Sequence, residues 1–175
     1  RTGELSPELV RAGLAAAGLM APAREAPSIA IEPMARPPVL CSGCPHTGTF
    51  LALRGIDTRV CGDIGCYTLA AVEPLRSMDT AVCMGASIAN AVGMAQSGAE
   101  KKPIIATIGD STFLHSGIPP LIQAVYANAN ITVVILDNGI TAMTGGQDHP
   151  GTARILRGEE THKVDYEAVC RAVGV

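Results

Sequence analysis

The sequence predicts an α/β fold of three layers, with helices on both sides of a mostly parallel sheet, and three observations carry that expectation. Residues 104–111 and 131–138 are apolar, β-branched runs of strand length that end in Gly109-Asp110-Ser111 and Asp137-Asn138. A helix-like stretch at 115–128 lies between them, which makes a strand–helix–strand unit. The 175 residues include no Trp, 2 Phe and 3 Tyr, so the core has to come from Ala, Val, Ile and Leu, a composition that suits α/β layers better than an aromatic-centred sandwich.

Residues 5–20 open on Ser6-Pro7-Glu8, an N-cap with proline at the first helical position, and Leu5, Leu9, Val10 and Leu14 can share one face. Prolines 22, 27, 33, 37 and 38 make the next stretch an extended connector. The expected organisation is therefore a helix and Pro-rich connector at 1–36 and one compact binding domain at 37–175. Within that domain a helix is expected at 47–53, strands at 58–61 and 80–84, and an Ala-rich helix from Gly85-Ala86-Ser87 to about Gln96. Glycine at that strand-to-helix turn lets a ligand approach the backbone, and the first amides of the helix favour an anion. After Asn138 comes a polar, glycine-rich loop, then a solvated stretch at 154–163 and a last helix at 165–173.

Composition excludes several classes. Net charge is -3 and no basic run is present, so nucleic acid is not an expected partner. No stretch of 18 apolar residues and no signal peptide is recognisable, which predicts a soluble, cytoplasmic protein with no membrane association. The chain starts at Arg1 without an initiator Met and stops just after a helical pattern, as expected of a piece of a longer polypeptide. Of its six cysteines, Cys61 and Cys83 fall in apolar runs and read as core, while Cys41 and Cys44 form a tight pair that suits a metal or cluster better than a disulfide.

The chemistry is expected at the ends of the two long strands. Strands joined by a crossover helix run parallel, so their carboxyl ends share one edge, and Asp110 and Asn138 point into one crevice. Adjacent strands lie about 5 Å apart, close enough for two side-chain oxygens to reach one small hard cation. Mg²⁺ fits best, since it completes its octahedron with phosphate oxygens and water, and the site therefore predicts a phosphorylated ligand. Asp and Asn are also common turn-formers at strand ends, and that plainer account stays open on these two residues alone.

Five motifs occur in order: Cys-Ser-Gly-Cys-Pro-His (41–46), Gly-Asp-Ile-Gly-Cys-Tyr (62–67), Met-Gly-Ala-Ser-Ile (84–88), Gly-Asp-Ser-Thr-Phe-Leu-His-Ser-Gly-Ile-Pro (109–119) and Leu-Asp-Asn-Gly-Ile-Thr-Ala-Met-Thr-Gly-Gly-Gln (136–147). Together they resemble the thiamine-diphosphate-binding domain of 2-oxoacid:ferredoxin oxidoreductases, and within that family the α subunits of the indolepyruvate subgroup, over residues 36–175. The resemblance implies a thiamine-diphosphate-binding fold in which Asp110, Asn138 and the backbone carbonyl of Ile140 hold Mg²⁺. Ser111 and Thr112 would bond phosphate oxygens, and Met84, Gly85 and Gly109 would lie against the cofactor. Ser111 and Gly139 replace a more frequent glycine and asparagine of the broad motif, replacements the subgroup tolerates. Cys41, Cys44 and Cys66 match three ligands of a 4Fe-4S cluster whose fourth would lie beyond Val175. Without a metal, Cys41 and Cys44 make a turn.

The implied reaction is oxidative decarboxylation of a 2-oxo acid, indolepyruvate or another arylpyruvate, with the acyl group passed to coenzyme A and electrons to ferredoxin. It also requires a glutamate from a second domain or subunit. Glu73, Glu100, Glu159 and Glu160 fall in turn-like or charged surface stretches, so this chain alone is expected to supply half of a cofactor site. Among the histidines, His46 beside the cysteine pair is the candidate acid–base group, His115 reads as a helix-start residue, and His149 and His162 read as solvated. Two alternatives are a non-oxidative 2-oxoacid decarboxylase subunit and a non-catalytic module that binds a diphosphate.

Overall fold

The computed structural model describes residues 6–22, 34 and 36–175. It divides into two compact units, Arg1–Pro37 and Pro38–Val175. The described part of the first unit is one helix, α1 (Pro7–Ala16), capped by the Ser6 hydroxyl, which accepts the Leu9 N–H at 3.3 Å. It is shorter than the expected 5–20, and Leu9, Val10 and Leu14 are exposed on it. Leu5 and most of the Pro-rich connector, residues 23–33 and 35, lie outside the described residues.

The second unit is a four-stranded sheet, β1 (Arg59–Gly62), β2 (Thr80–Ala81), β3 (Ile104–Gly109) and β4 (Thr132–Leu136), all parallel and ordered β2-β1-β3-β4. The strand period of two splits the side chains between two cores. Cys61, Ile104, Ala106 and Ile108 enter one core with Ile88, Ala91 and Val92 of α3 (Ser87–Ser97) and Leu121 and Ala124 of α5 (Ile118–Tyr126). Val60, Ile105 and Leu136 enter the other with Phe50 and Leu53 of α2 (Pro45–Arg54) and Tyr67 and Ala70 of a 3₁₀ turn (Cys66–Ala71). Helices therefore cover both faces, which is why β3 is buried along all six residues and has no polar side of its own. α6 (Tyr166–Val173) packs its partly buried Val169, Cys170 and Val173 against the first core.

Three local expectations are corrected. The helix after β3 does not wait until residue 115: α4 (Asp110–Thr112) starts directly after Gly109, passes through a π-helical turn (Phe113–Gly117) and continues as α5. Pro119 and Pro120 resemble a helix start, but they lie inside an existing helical run. They lack the N–H groups that the preceding turn would accept, and the backbone widens where they enter. β2 ends at Ala81, not 84, because it pairs only with β1, at Cys61↔Thr80 and Gly62↔Ala81, and that partner strand stops at Gly62. Cys83, expected in the core, is consequently exposed together with Val82, whereas Cys61 is fully buried.

The opposite edge of the sheet is tied by charge. Arg59 Nε lies 2.5 Å from Glu100 Oε2 and its Nη1 2.8 Å from Asp79 Oδ1, while Asp79 Oδ2 accepts the Val60 N–H at 2.8 Å. The Lys102 N–H, then Arg59, hold the Glu100 carboxyl down at about 2 against its ordinary 4.5. A depressed carboxyl stabilises the fold above the unfolded value and loses that contribution as pH falls through the folded one. Glu100→Gln is therefore expected to be less stable than the wild type at pH 6, with the gap shrinking below about pH 4.5 and closing near pH 2, as read by urea melts across that range.

Candidate cofactor-binding site

The strand order reverses between β1 and β3, and a crevice opens outside their carboxyl ends, as open α/β sheets require at such a point. It is a cavity of about 100 Å³ lined from β1's exit by Ile64, Cys66 and Tyr67, and from β3's exit by Gly109, Asp110, Ser111 and Thr112. Leu136, Asn138, Ile140 and residues 141–144 line it from β4's exit, with His46 of α2 and Met84 completing the wall. The cavity thus gathers Met84, Gly109, Asp110, Ser111, Thr112, Asn138, Ile140, His46 and Cys66 of the expected site.

Gly85 stands behind it. Its φ is +87°, and a methyl group there would lie 2.2 Å from Ser116 Oγ, on the π-helical turn, so the close packing of these two segments requires glycine. Cys41 and Cys44 line none of it. They close a turn in which the Cys44 N–H donates to the Cys41 carbonyl at 3.0 Å, with Cys41 exposed. Among the described residues no three His, Cys, Asp or Glu side chains converge as metal ligands, so Cys41, Cys44 and Cys66 are not gathered on one centre. His115 and His162 are exposed.

The oxygen donors fit a hard cation. Asp110 is buried: its Oδ1 accepts the Ser111 N–H at 2.7 Å and its Oδ2 the Gly139 N–H at 2.8 Å, which joins β3's exit to β4's. Asn138 Oδ1 accepts the Ile140 N–H at 3.1 Å. Both residues thus form turns, as the plainer account expects, yet each keeps acceptor capacity, since a carboxylate offers about four lone-pair sites. Among the described residues no hydrogen bond reaches the Ile140 carbonyl. A carboxylate at a helix start, an amide oxygen and a free loop carbonyl match what Mg²⁺ takes when phosphate oxygens fill its remaining positions.

The wall opposite is aromatic and neutral. His46 is buried with its ring edge-on to Tyr67, centroids 5.5 Å apart at 70°. Burial pushes it below its ordinary 6.5, against the pull of the Asp110 charge, and so favours the neutral ring. Burial also pushes the Tyr67 hydroxyl up to about 12.

Two residues at this edge, Asp63 and Tyr67, are not among the site residues expected from the sequence. Asp63 is fully buried and accepts three backbone N–H groups, from Ile64 (2.8 Å), Gly85 (2.6 Å) and Ser87 (2.9 Å), so it fastens β1's exit to the start of α3. Tyr67 accepts the Gly109 N–H at 2.9 Å and donates to the Ile64 carbonyl at 3.1 Å, fastening β1's exit to β3's. The available signal was the dipeptide Gly-Asp, which ends both β1 (62–63) and β3 (109–110). His149, expected in solvent, is buried. The glycine-rich loop folds back on itself through a Thr141↔Gln147 bridge and brings the ring to 3.3 Å from Asp110 Oδ2. Nothing local in the sequence announces this, because the burying partner lies in another strand's exit.

Residues 63–175 match the thiamine pyrophosphate enzyme C-terminal TPP binding domain, and the chain belongs to that family. It is similar to indolepyruvate oxidoreductase subunit IorA of Archaeoglobus fulgidus, with 48% identity over 156 residues that cover 86% of this chain and 25% of that one. The subunit of the same name from Pyrococcus horikoshii is 44% identical over 154 residues, covering 79% and 24%. The chain spans about a quarter of the length of these curated relatives. Among solved structures, 2-oxoglutarate:ferredoxin oxidoreductase from Magnetococcus marinus superposes with a TM-score of 0.67 at 22% identity, covering 80% of this chain and 53% of that one. Benzoylformate decarboxylase from Polynucleobacter necessarius gives 0.54 at 13% identity, covering 75% and 27%. At these identities the structural likeness concerns the fold.

Asp63→Ala leaves three N–H groups without their charged acceptor at the cavity edge. Loss of about 3 kcal/mol of unfolding free energy is expected in denaturant titration; a loss under about 1 kcal/mol would show that water replaces the carboxylate.

Proposed function

We propose that this chain supplies the diphosphate and Mg²⁺ half of the thiamine diphosphate site in a cytoplasmic 2-oxoacid:ferredoxin oxidoreductase that acts on indolepyruvate or a related arylpyruvate. The observation that carries the reading is the placement of Asp110 and Asn138 at the ends of adjacent parallel strands on one cavity. Asp110, Asn138 and the Ile140 carbonyl would hold the cation, and Ser111 and Thr112 at the helix start would face the phosphate oxygens. Bound there, the cofactor supplies the electron sink that decarboxylation of a 2-oxo acid needs. The chain's own residues would bind and orient it: the buried rings of Tyr67 and His46, packed edge-on, and Met84 line the same cavity as the metal ligands. His46, its neutral form favoured by burial, is the group positioned to take or give a proton at the substrate side.

The oxidoreductase reading is favoured over a non-oxidative decarboxylase because sequence identities of 44–48% are to oxidoreductase subunits, whereas the decarboxylase likeness is one of fold at 13% identity. Coenzyme A as acyl acceptor, ferredoxin as electron acceptor and a second domain or subunit that completes the cavity belong to the same reading. A cavity of about 100 Å³ supports the last of these, because a site enclosing a whole cofactor takes roughly 300 Å³ or more. A 4Fe-4S cluster on Cys41, Cys44 and Cys66 with a fourth ligand from outside these residues belongs to the same reading, although among the described residues the three do not converge on one centre.

Calorimetry with thiamine diphosphate tests the reading. Binding by the wild type is expected to require Mg²⁺, and Asp110→Ala is expected to weaken it by roughly 100-fold, about 3 kcal/mol. Equal, metal-independent binding by both would overturn it. The cavity also has no glutamate in its lining. The 175-residue chain by itself is accordingly expected to release no measurable CO₂ from indolepyruvate with cofactor and Mg²⁺ present, and steady turnover would contradict the half-site.

A further inference from the structure

The glycine-rich loop begins and ends on one carboxylate oxygen. At its start the Gly139 N–H donates to Asp110 Oδ2 at 2.8 Å; at its end His149 Nε2 lies 3.3 Å from the same atom, with the ring almost wholly out of solvent. His149 is not part of the cavity lining, so it meets Asp110 from behind. The ring's orientation is set locally. The Gly151 N–H donates to Nδ1 at 3.2 Å, which leaves the ring proton on Nε2, facing the carboxylate. The contact is off the axis of a full hydrogen bond, and Nε2 has no other partner among the described residues.

The surroundings hold His149 in this place. Its carbonyl accepts from the Thr152 N–H (2.8 Å) and hydroxyl (2.9 Å). Gly151 is the only residue type that fits next to it, since a methyl group there would lie 2.0 Å from the Tyr166 hydroxyl and 2.9 Å from His149 Cε1. An internal loop that carries Ile140 and forms part of the cavity wall is thus latched onto the candidate metal ligand by a buried donor.

We propose that His149 is a positioning residue that fastens the loop at 139–149 to Asp110, so that loop closure and cation–diphosphate binding are one equilibrium. The inference rests on the reading of Asp110 as a metal ligand. The ring and the Gly139 N–H both face Oδ2, so the loop that carries Ile140 would be held to the carboxylate that would ligate the cation. Partners behind a ligating carboxylate are worth about 10- to 100-fold in metal affinity.

The test uses Mn²⁺ with thiamine diphosphate as a spin-active probe, read by calorimetry and electron paramagnetic resonance on wild type, Asp110→Ala, His149→Ala and His149→Gln. Hydrogen exchange of residues 139–149 is followed without ligand. His149→Ala is expected to bind the probe about 10- to 100-fold more weakly and to exchange faster across the loop. His149→Gln, whose amide N–H reaches where Nε2 stands, is expected to recover most of both. Wild-type affinity and exchange in His149→Ala, or a His149→Gln protein with the wild-type melting temperature but the affinity of His149→Ala, would overturn the inference while leaving the Asp110 reading intact. Equal probe binding by wild type and Asp110→Ala would instead remove the reading on which it rests, and the inference with it.

Discussion

The Asp63 carboxylate, wholly out of water, is the interaction on which the carboxyl edge depends. Parallel strands that stop together leave exits whose backbone N–H groups have no ladder partner, and a helix start adds more. Asp63 answers three of them at once, from its own exit and from the turn into α3. That places Gly85 against Ser116 of the π-helical turn and Met84 at the cavity. A water molecule could satisfy one such donor, but only a charged group reaching all three fixes two segments that are 22 to 24 residues apart in the chain.

Asp110 repeats the arrangement one strand away with a different outcome. It also bridges two exits, to Gly139, yet it faces the cavity and its acceptor capacity is not exhausted. The same dipeptide therefore ends two neighbouring strands, once as an internal brace and once as a brace that can also serve a cation. The difference lies in what each carboxylate faces: Asp63 accepts three N–H groups and has no place in the cavity lining, whereas Asp110 accepts two and lines the cavity.

The cavity is asymmetric in a way that suits a shared site. Its polar side is built from strand ends and a helix start, where hydrogen-bonding groups are obligatory, and its other side from Tyr67, His46 and Met84, which present carbon and neutral rings. A diphosphate end and an apolar ring system meet these two sides naturally. What the fold alone cannot specify is chemistry, since the same architecture recurs at 13–22% identity in an oxidoreductase and a decarboxylase.

The sequence by itself determined the layer architecture, the apolar strand runs within 104–111 and 131–138, and the placement of Asp110 and Asn138 just beyond the ends of adjacent parallel strands. These follow from period-two apolar runs, short turns and the rule that crossover strands run parallel, all of them local or nearest-neighbour properties. Only the tertiary structure decided that Cys83 faces solvent, that the helix after β3 starts at Asp110 and runs through two prolines, and that His149 is buried against a carboxylate. In each case the deciding neighbour lies on a different element: the short edge pairing of β2, the packing of Phe113 and Leu121 on the sheet, and the Asp110 side chain from another strand. Propensity and spacing register what a residue's own segment prefers. Burial is set by what the rest of the chain brings to it.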